Sequence, residues 1–192
     1  KKAKKRGAKI IVIDPRRTET TKLGDKWIPL RPGTDGAFAL GLIDVLINEK
    51  LFDENFVREW TNAPFLVRED NQNLLVERDV IGEGSPERYV AWDERSNSPA
   101  FYDSESTTYL NGNPSSLKIL GLCEVKLADR KTIRCRPSFQ LLADSAAKWR
   151  PESARKVTGL KPDDVRKVAK LLGSVKPSSF WTFNGIERRP DA

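Results

Sequence analysis

The chain has 192 residues, 38% hydrophobic and 32% charged, the balance of a soluble globular protein long enough to bury a real core. It lacks histidine, which excludes imidazole acid–base catalysis and histidine metal sites, and its two cysteines are too few for a zinc or iron–sulfur site. The net charge of +7 is concentrated, with five positive charges in Lys1-Lys2-Ala3-Lys4-Lys5-Arg6 and +2 left for the rest.

That basic run has two readings. It is a nucleic-acid contact or localisation signal, or it is the last turn of a helix, where cations offset the dipole and Gly7 terminates it. The second is favoured, because no aromatic residues interleave with the basic ones, so nucleic acid is not an expected partner. With Lys at position 1 and no Met anywhere, a segment of a longer protein is expected. No apolar run approaches the ~18–20 residues that cross a bilayer, so no transmembrane segment is expected.

Residues 9–13, Lys-Ile-Ile-Val-Ile, form a continuous β-branched run, the pattern of a strand buried in a parallel sheet. Asp14-Pro15 ends it, because proline has no N–H for a ladder. A carboxylate is thereby set at the carboxyl end of a strand, the edge where open α/β sheets bind ligands. Arg31-Pro32-Gly33-Thr34-Asp35 reads as a second polar corner: Gly33 permits close backbone approach, and Thr34 or Asp35 caps a helix over residues 36–48. Asp53 caps a second short helix, residues 54–61, with Phe56, Val57 and Trp60 on one face.

Between residues 64 and 136 short β-rich runs alternate with Asn, Gly, Ser and Pro clusters, which predicts hairpins, with a polar surface loop through most of residues 94–116. The acids scattered there, Asp93 and Glu94 included, are expected to be solvated. If residues 128–130 form a turn, Cys123 and Cys135 face one another across a hairpin. That leaves open a cross-strand disulfide or, favoured in an intracellular protein, two reduced cysteines packed as small hydrophobes. Helices are expected again from Pro137 to about residue 148, with Phe139, Leu142 and Ala146 inward, from Pro151 to near Gly159, and from Pro162 to Gly173. Leu160 is placed to staple onto Val165. Residues 179–183, Ser-Phe-Trp-Thr-Phe, read as a returning buried strand ending at Asn184-Gly185. The expected fold is therefore α/β, a dinucleotide-binding-like (Rossmann-like) parallel sheet fragment with helices and a β-hairpin-rich insertion. Its expected parts are residues 1–62, the first part of the α/β domain, 63–136, the insertion, and 137–192, the closing helices and strand.

Two segments, IIVIDPRRTETTKLGDKWIPLRPGTDGAFALGL and WTFNGIERRPDA, resemble the molybdopterin-guanine-dinucleotide oxidoreductases of the dimethyl sulfoxide reductase family. The D-P-R-x-T element followed by P-L-R-P-G-T-D-x-A carries most of the specificity. The second segment departs from the family pattern at Arg188, Arg189 and Asp191. The resemblance implies a domain that holds the guanosine end of one of two pterin cofactors around molybdenum or tungsten. By motif, Asp14 takes ribose hydroxyls, Arg16 lies near ribose or phosphate, Gly33 gives close approach, and Asp35 accepts from the guanine N1 and N2 donors. Thr18 and Thr34 add hydroxyl contacts, and Asn184, Gly185 and Glu187 line the cofactor from the second segment.

Neither a metal-ligand motif nor an iron–sulfur cysteine motif is found in the chain, so no catalytic or metal-ligating residue is assigned. The resemblance implies a [4Fe-4S] cluster elsewhere in the parent, with the rest of the parent chain and an electron-transfer subunit as partners. The segment alone is expected to be inactive. The parent is expected in the cytoplasm, or in the periplasm if it carries a twin-arginine signal. Two rivals remain at this point: a stand-alone, non-catalytic guanine-nucleotide module and a basic nucleic-acid-binding domain.

Overall fold

The computed structural model describes residues 2–181. In chain order these form α1 (Lys2–Lys5), β1 (Ile11–Ile13), α2 (Glu19–Leu23), β2 (Lys26–Ile28), α3 (Asp35–Asn48) and α4 (Glu54–Trp60). There follow β3 (Leu66–Arg68), α5 (Glu77–Ile81), β4 (Arg88–Asp93), β5 (Ser98–Asp103), β6 (Thr108–Tyr109) and a 3₁₀ turn at Pro114–Ser116. Then come β7 (Cys123–Lys126), β8 (Thr132–Pro137), α6 (Ser138–Ala147), α7 (Pro151–Thr158) and α8 (Pro162–Ser174). The described chain divides into two compact units, one from residues 2–52 with 145–181, the other Asp53–Asp144.

The first unit is layered. β1 and β2 pair in parallel, Ile11 with Lys26 through Ile13 with Ile28, joined by a crossover containing α2. Ile28, Leu30, Phe38, Leu42, Val45, Leu160, Val165, Val168 and Ala169 form its core, with Ile11 and Ile13 packed against it. Leu160 and Val165 lie on either side of the α8 start, where Pro162 occupies the first helical turn. α1 ends as its sequence implies. Gly7 has φ +87°, its N–H donates to Lys4 O, and Ala8 N–H reaches back to Ala3 O.

Among the described residues the parallel sheet is these two strands only, and the other two sheets are antiparallel. A larger Rossmann-like sheet is therefore not what these residues build. Residues 179–181 of the expected returning strand carry no strand geometry, and Trp181 is 90% exposed. The remainder of that strand lies outside the described residues.

The second unit is β-rich. One sheet orders β3-β8-β7 around Leu66, Leu75, Val90, Cys123, Val125 and Cys135; the other orders β4-β5-β6. Three details differ from the sequence reading. The expected polar loop is shorter than the sequence implied, because β5 extends beyond residues 100–102 to Ser98–Asp103 and pairs with β4 along its whole length, and β6 continues the sheet. Asp93 is buried, at 4% exposure, not solvated. Its Oδ1 accepts from the N–H groups of Arg95 (2.8 Å) and Ser96 (3.4 Å) and from the Ser116 hydroxyl (2.6 Å), while Oδ2 accepts from Asn113 N–H (3.2 Å). The carboxylate thus ties the strand end to two loops. Finally, Phe56 and Trp60 of α4 and Leu142 of α6 are exposed, so helical spacing alone did not locate their buried side.

Candidate functional site

β1 ends where Pro15 removes the next ladder donor. Asp14 N–H still reaches Ile28 O (3.2 Å), and the Asp14 carboxylate accepts from Arg16 N–H at 2.8 Å, a local turn that occupies Oδ1. On the other side, Trp27 Nε1 donates to Asp14 O at 2.7 Å. The Arg17 guanidinium lies 6.0 Å from the Trp27 ring centroid, at the outer limit of a cation–π contact. Arg16 is exposed, and its guanidinium makes no hydrogen bond or ion pair among the described residues. Thr18 caps α2: its hydroxyl accepts from Thr21 N–H (3.4 Å), and Thr21 Oγ1 donates to Thr18 O (2.7 Å).

Because β2 runs parallel to β1, Ile28 ends beside Ile13 and the second corner leaves from the same sheet edge. Pro32 and Gly33 turn the chain, with Gly33 at φ +79°, a backbone that costs an L-side chain strain and glycine none. Thr34 is buried, and its Oγ1 donates to Arg31 O at 2.7 Å, which closes the turn. Thr34 is the capping position of α3 by backbone, yet its side chain makes no cap bond. Asp35 is the first helical residue. Its half-buried carboxylate accepts no hydrogen bond and forms no ion pair among the described residues. It stands where the first N–H groups of a 14-residue helix lack intrahelical acceptors.

No protein-family model matches the chain. The alpha subunit of perchlorate reductase from Dechloromonas aromatica is 32% identical over 204 residues, covering 94% of this chain and 22% of that protein. The alpha subunit of dimethylsulfide dehydrogenase from Rhodovulum sulfidophilum is 30% identical over 191 residues, covering 97% and 20%. The relatives that match most of this chain are catalytic subunits of molybdenum enzymes of the dimethyl sulfoxide reductase family. This chain spans about a fifth of the length of either relative. A shorter match is tighter: acetylene hydratase from Syntrophotalea acetylenica is 57% identical over 60 residues, covering 31% of this chain and 8% of that protein.

The structure brings six of the nine candidate residues, Asp14, Arg16, Thr18, Gly33, Thr34 and Asp35, to the carboxyl ends of two neighbouring parallel strands. Asn184, Gly185 and Glu187 lie outside the described residues. Two residues that the sequence reading left out support the corners. Trp27 holds the Asp14 carbonyl, and Arg31 Nη1 donates to Lys156 O at 3.2 Å. The signals were present, an aromatic residue in a three-residue strand and a cation opening the R-P-G-T-D turn, but each acts through a partner that sequence alone does not locate. Among the described residues no group of three or more His, Cys, Asp and Glu side chains could hold a metal ion, and no helix is long and apolar enough to cross a membrane. Cys123 and Cys135 are free, buried thiols directly opposite one another on β7 and β8.

Proposed function

We propose that this segment holds the guanosine end of a molybdopterin guanine dinucleotide within a larger oxidoreductase. The observation that carries the reading is the Asp35 carboxylate, uncommitted to any described protein group and set at the carboxyl edge of a parallel strand pair. Guanine offers two parallel donors, N1–H and N2–H, and a carboxylate matches them with two acceptors. Asp35 is the first helical residue, one past the capping position, so among the described residues its carboxylate is not spent on a cap bond and keeps both oxygens for a ligand. The donor set fits the nucleotide: among the described residues Asp14 keeps one oxygen for ribose hydroxyls, Arg16 offers a cation with no protein partner for phosphate, and Gly33 lets the backbone come close.

When bound, the molybdenum or tungsten centre supplies the redox chemistry, and the residues of this chain bind and orient its nucleotide. The parent enzyme moves electrons, and for many substrates an oxygen atom, between a small molecule and the metal. Its iron–sulfur cluster and metal ligand belong to other parts of the parent. The relatives named as alpha subunits support an electron-transfer subunit as partner.

The test is Asp35→Ala and Asp35→Asn in the full-length protein, with guanosine nucleotide and metal counted per chain. Losing a charged hydrogen-bonding partner weakens binding roughly 10- to 100-fold, so both variants should purify with depleted nucleotide and metal. Full content in both would return Asp35 to a purely helical role.

A further inference from the structure

We propose that Arg31 is a positioning residue that ties the R-P-G-T-D corner to the carboxyl end of α7 and thereby sets the bearing of Asp35. The inference rests on the reading of that corner as the nucleotide site. Arg31 is held on three sides. Its carbonyl accepts from Thr34 Oγ1 (2.7 Å), its N–H donates to Thr158 O (3.2 Å), and its Nη1 donates to Lys156 O (3.2 Å). The first bond lies inside the turn and makes residues 31–34 one rigid piece, together with the fixed φ of Pro32 and the positive φ of Gly33. The other two reach a helix more than 120 residues away in sequence.

The receiving end is built for this. The last carbonyls of a helix have no partner within it. α7 ends at Thr158, whose own hydroxyl donates to Ala154 O (2.9 Å) and accepts from Leu160 N–H (3.2 Å). Gly159 follows in the left-handed region at φ +76°, its N–H returning to Arg155 O (2.9 Å). The carbonyls of Lys156 and Thr158 are the ones that Arg31 takes. A cation is also the charge that a helix carboxyl end favours. A Cβ on Gly159 would lie 3.7 Å from Arg31 Nη2, so the guanidinium rests against the bare glycine. Leu160 then enters the core beside Leu30 and Phe38, on either side of the corner. The turn is rigid within itself, and its orientation comes from α7. Asp35 is the next residue along.

The experiment uses the full-length, cofactor-loaded protein with Arg31→Met and Arg31→Lys. Amide hydrogen exchange is followed at residues 33–36 and 157–160, together with the rate at which guanosine nucleotide is released. Arg31→Met should raise exchange in both segments and speed release, each roughly tenfold, as expected for one charge-assisted hydrogen bond. Arg31→Lys, which can still reach one carbonyl, should restore part of both effects, and it carries the test if the Met variant does not fold. Faster release with unchanged exchange at residues 157–160 would mean that Arg31 touches the nucleotide directly, and raised exchange with unchanged release would leave a purely structural contact. Either overturns the proposal. Asp35→Asn run in parallel separates the two ideas: full nucleotide content there removes the site itself and the proposal with it.

Discussion

Trp27 Nε1 donates a 2.7 Å hydrogen bond to the carbonyl oxygen of Asp14, so the side chain of one parallel strand fixes the backbone at the end of the other. Trp27→Phe keeps the ring and removes the donor. The expected cost is about 1 kcal/mol, the ordinary net value of one hydrogen bond. Because Asp14 N–H remains on Ile28 O, the first corner should loosen without being lost. We expect a small fall in thermal midpoint and a partial loss of bound nucleotide, milder than that of Asp35→Ala. A variant with unchanged midpoint and nucleotide content would show that Asp14 is held well enough without the indole.

The two corners were legible because Pro15, Pro32 and Gly33 punctuate the chain in ways that only a few backbone shapes satisfy. The start of α8 was legible for the same reason, from Pro162 and the acids that follow it. β2 was not, since Lys26-Trp27-Ile28 is too short to show a period and becomes a strand only through its pairing with β1. Among the described residues the parallel sheet has only two strands, and β1 is half-buried, because a β-branched run announces a strand and says nothing of how many neighbours cover it. The burial of Asp93 was missed because composition makes acids solvent-facing by default, whereas here four donors brought from two loops compensate the burial.

Gly173 shows how a local rule yields to packing. A glycine late in a helical pattern reads as its terminator, yet α8 continues through Gly173 to Ser174. A Cβ at that position would sit 2.5 Å from Leu51 Cβ and 2.7 Å from Leu51 O. Backbone cannot yield as a flexible side chain can, so the glycine is there for close approach. Gly173→Ala should therefore destabilise by roughly 1–3 kcal/mol through overpacking, although alanine gains about 1 kcal/mol in helix propensity. Thermal unfolding reads the sign, and a stabilised variant would mean that Leu51 moves aside freely.

Asp93 makes a pH-dependent contribution. The Ser116 hydroxyl first, with the N–H groups of Arg95, Asn113 and Ser96, holds its carboxyl down at about 2 against the opposing effect of burial. A depressed carboxyl adds stability that is fully present above the unfolded value near ~3.9 and is lost as pH falls toward the folded one. Asp93→Asn should cost about 2 kcal/mol at neutral pH and weaken the acid dependence between pH ~4 and ~2. Limited proteolysis across residues 94–97 and 111–116 reads this locally. Cleavage of the native protein there should rise as pH falls through that window, and the variant should be cleaved readily at all pH values. Equal protection of both proteins at neutral pH would refute the assignment.

Cys123 and Cys135 occupy facing positions on β7 and β8, near enough in register to invite a cross-strand bond. Their environment opposes it. Burial is the main cause that pushes Cys123 up to about 11 and Cys135 up to about 12, with the neighbouring Cys123 adding to the latter. Cys123 Sγ sits 3.7 Å from the Cys135 carbonyl oxygen, a weak S–H donor against a backbone acceptor. Only the thiolate attacks a disulfide or an alkylating reagent, and at neutral pH such a thiol is ionised roughly one part in 10⁴ or less. The native full-length protein treated with iodoacetamide should yield peptides in which both cysteines are unmodified, and both should be alkylated once denaturant opens the sheet. A mild disulfide oxidant should likewise leave the pair reduced in the native state. Recovery of a Cys123–Cys135 cross-link from native protein would show that β7 and β8 separate often enough to expose a thiolate, and that this hairpin is far more dynamic than its buried ladder implies.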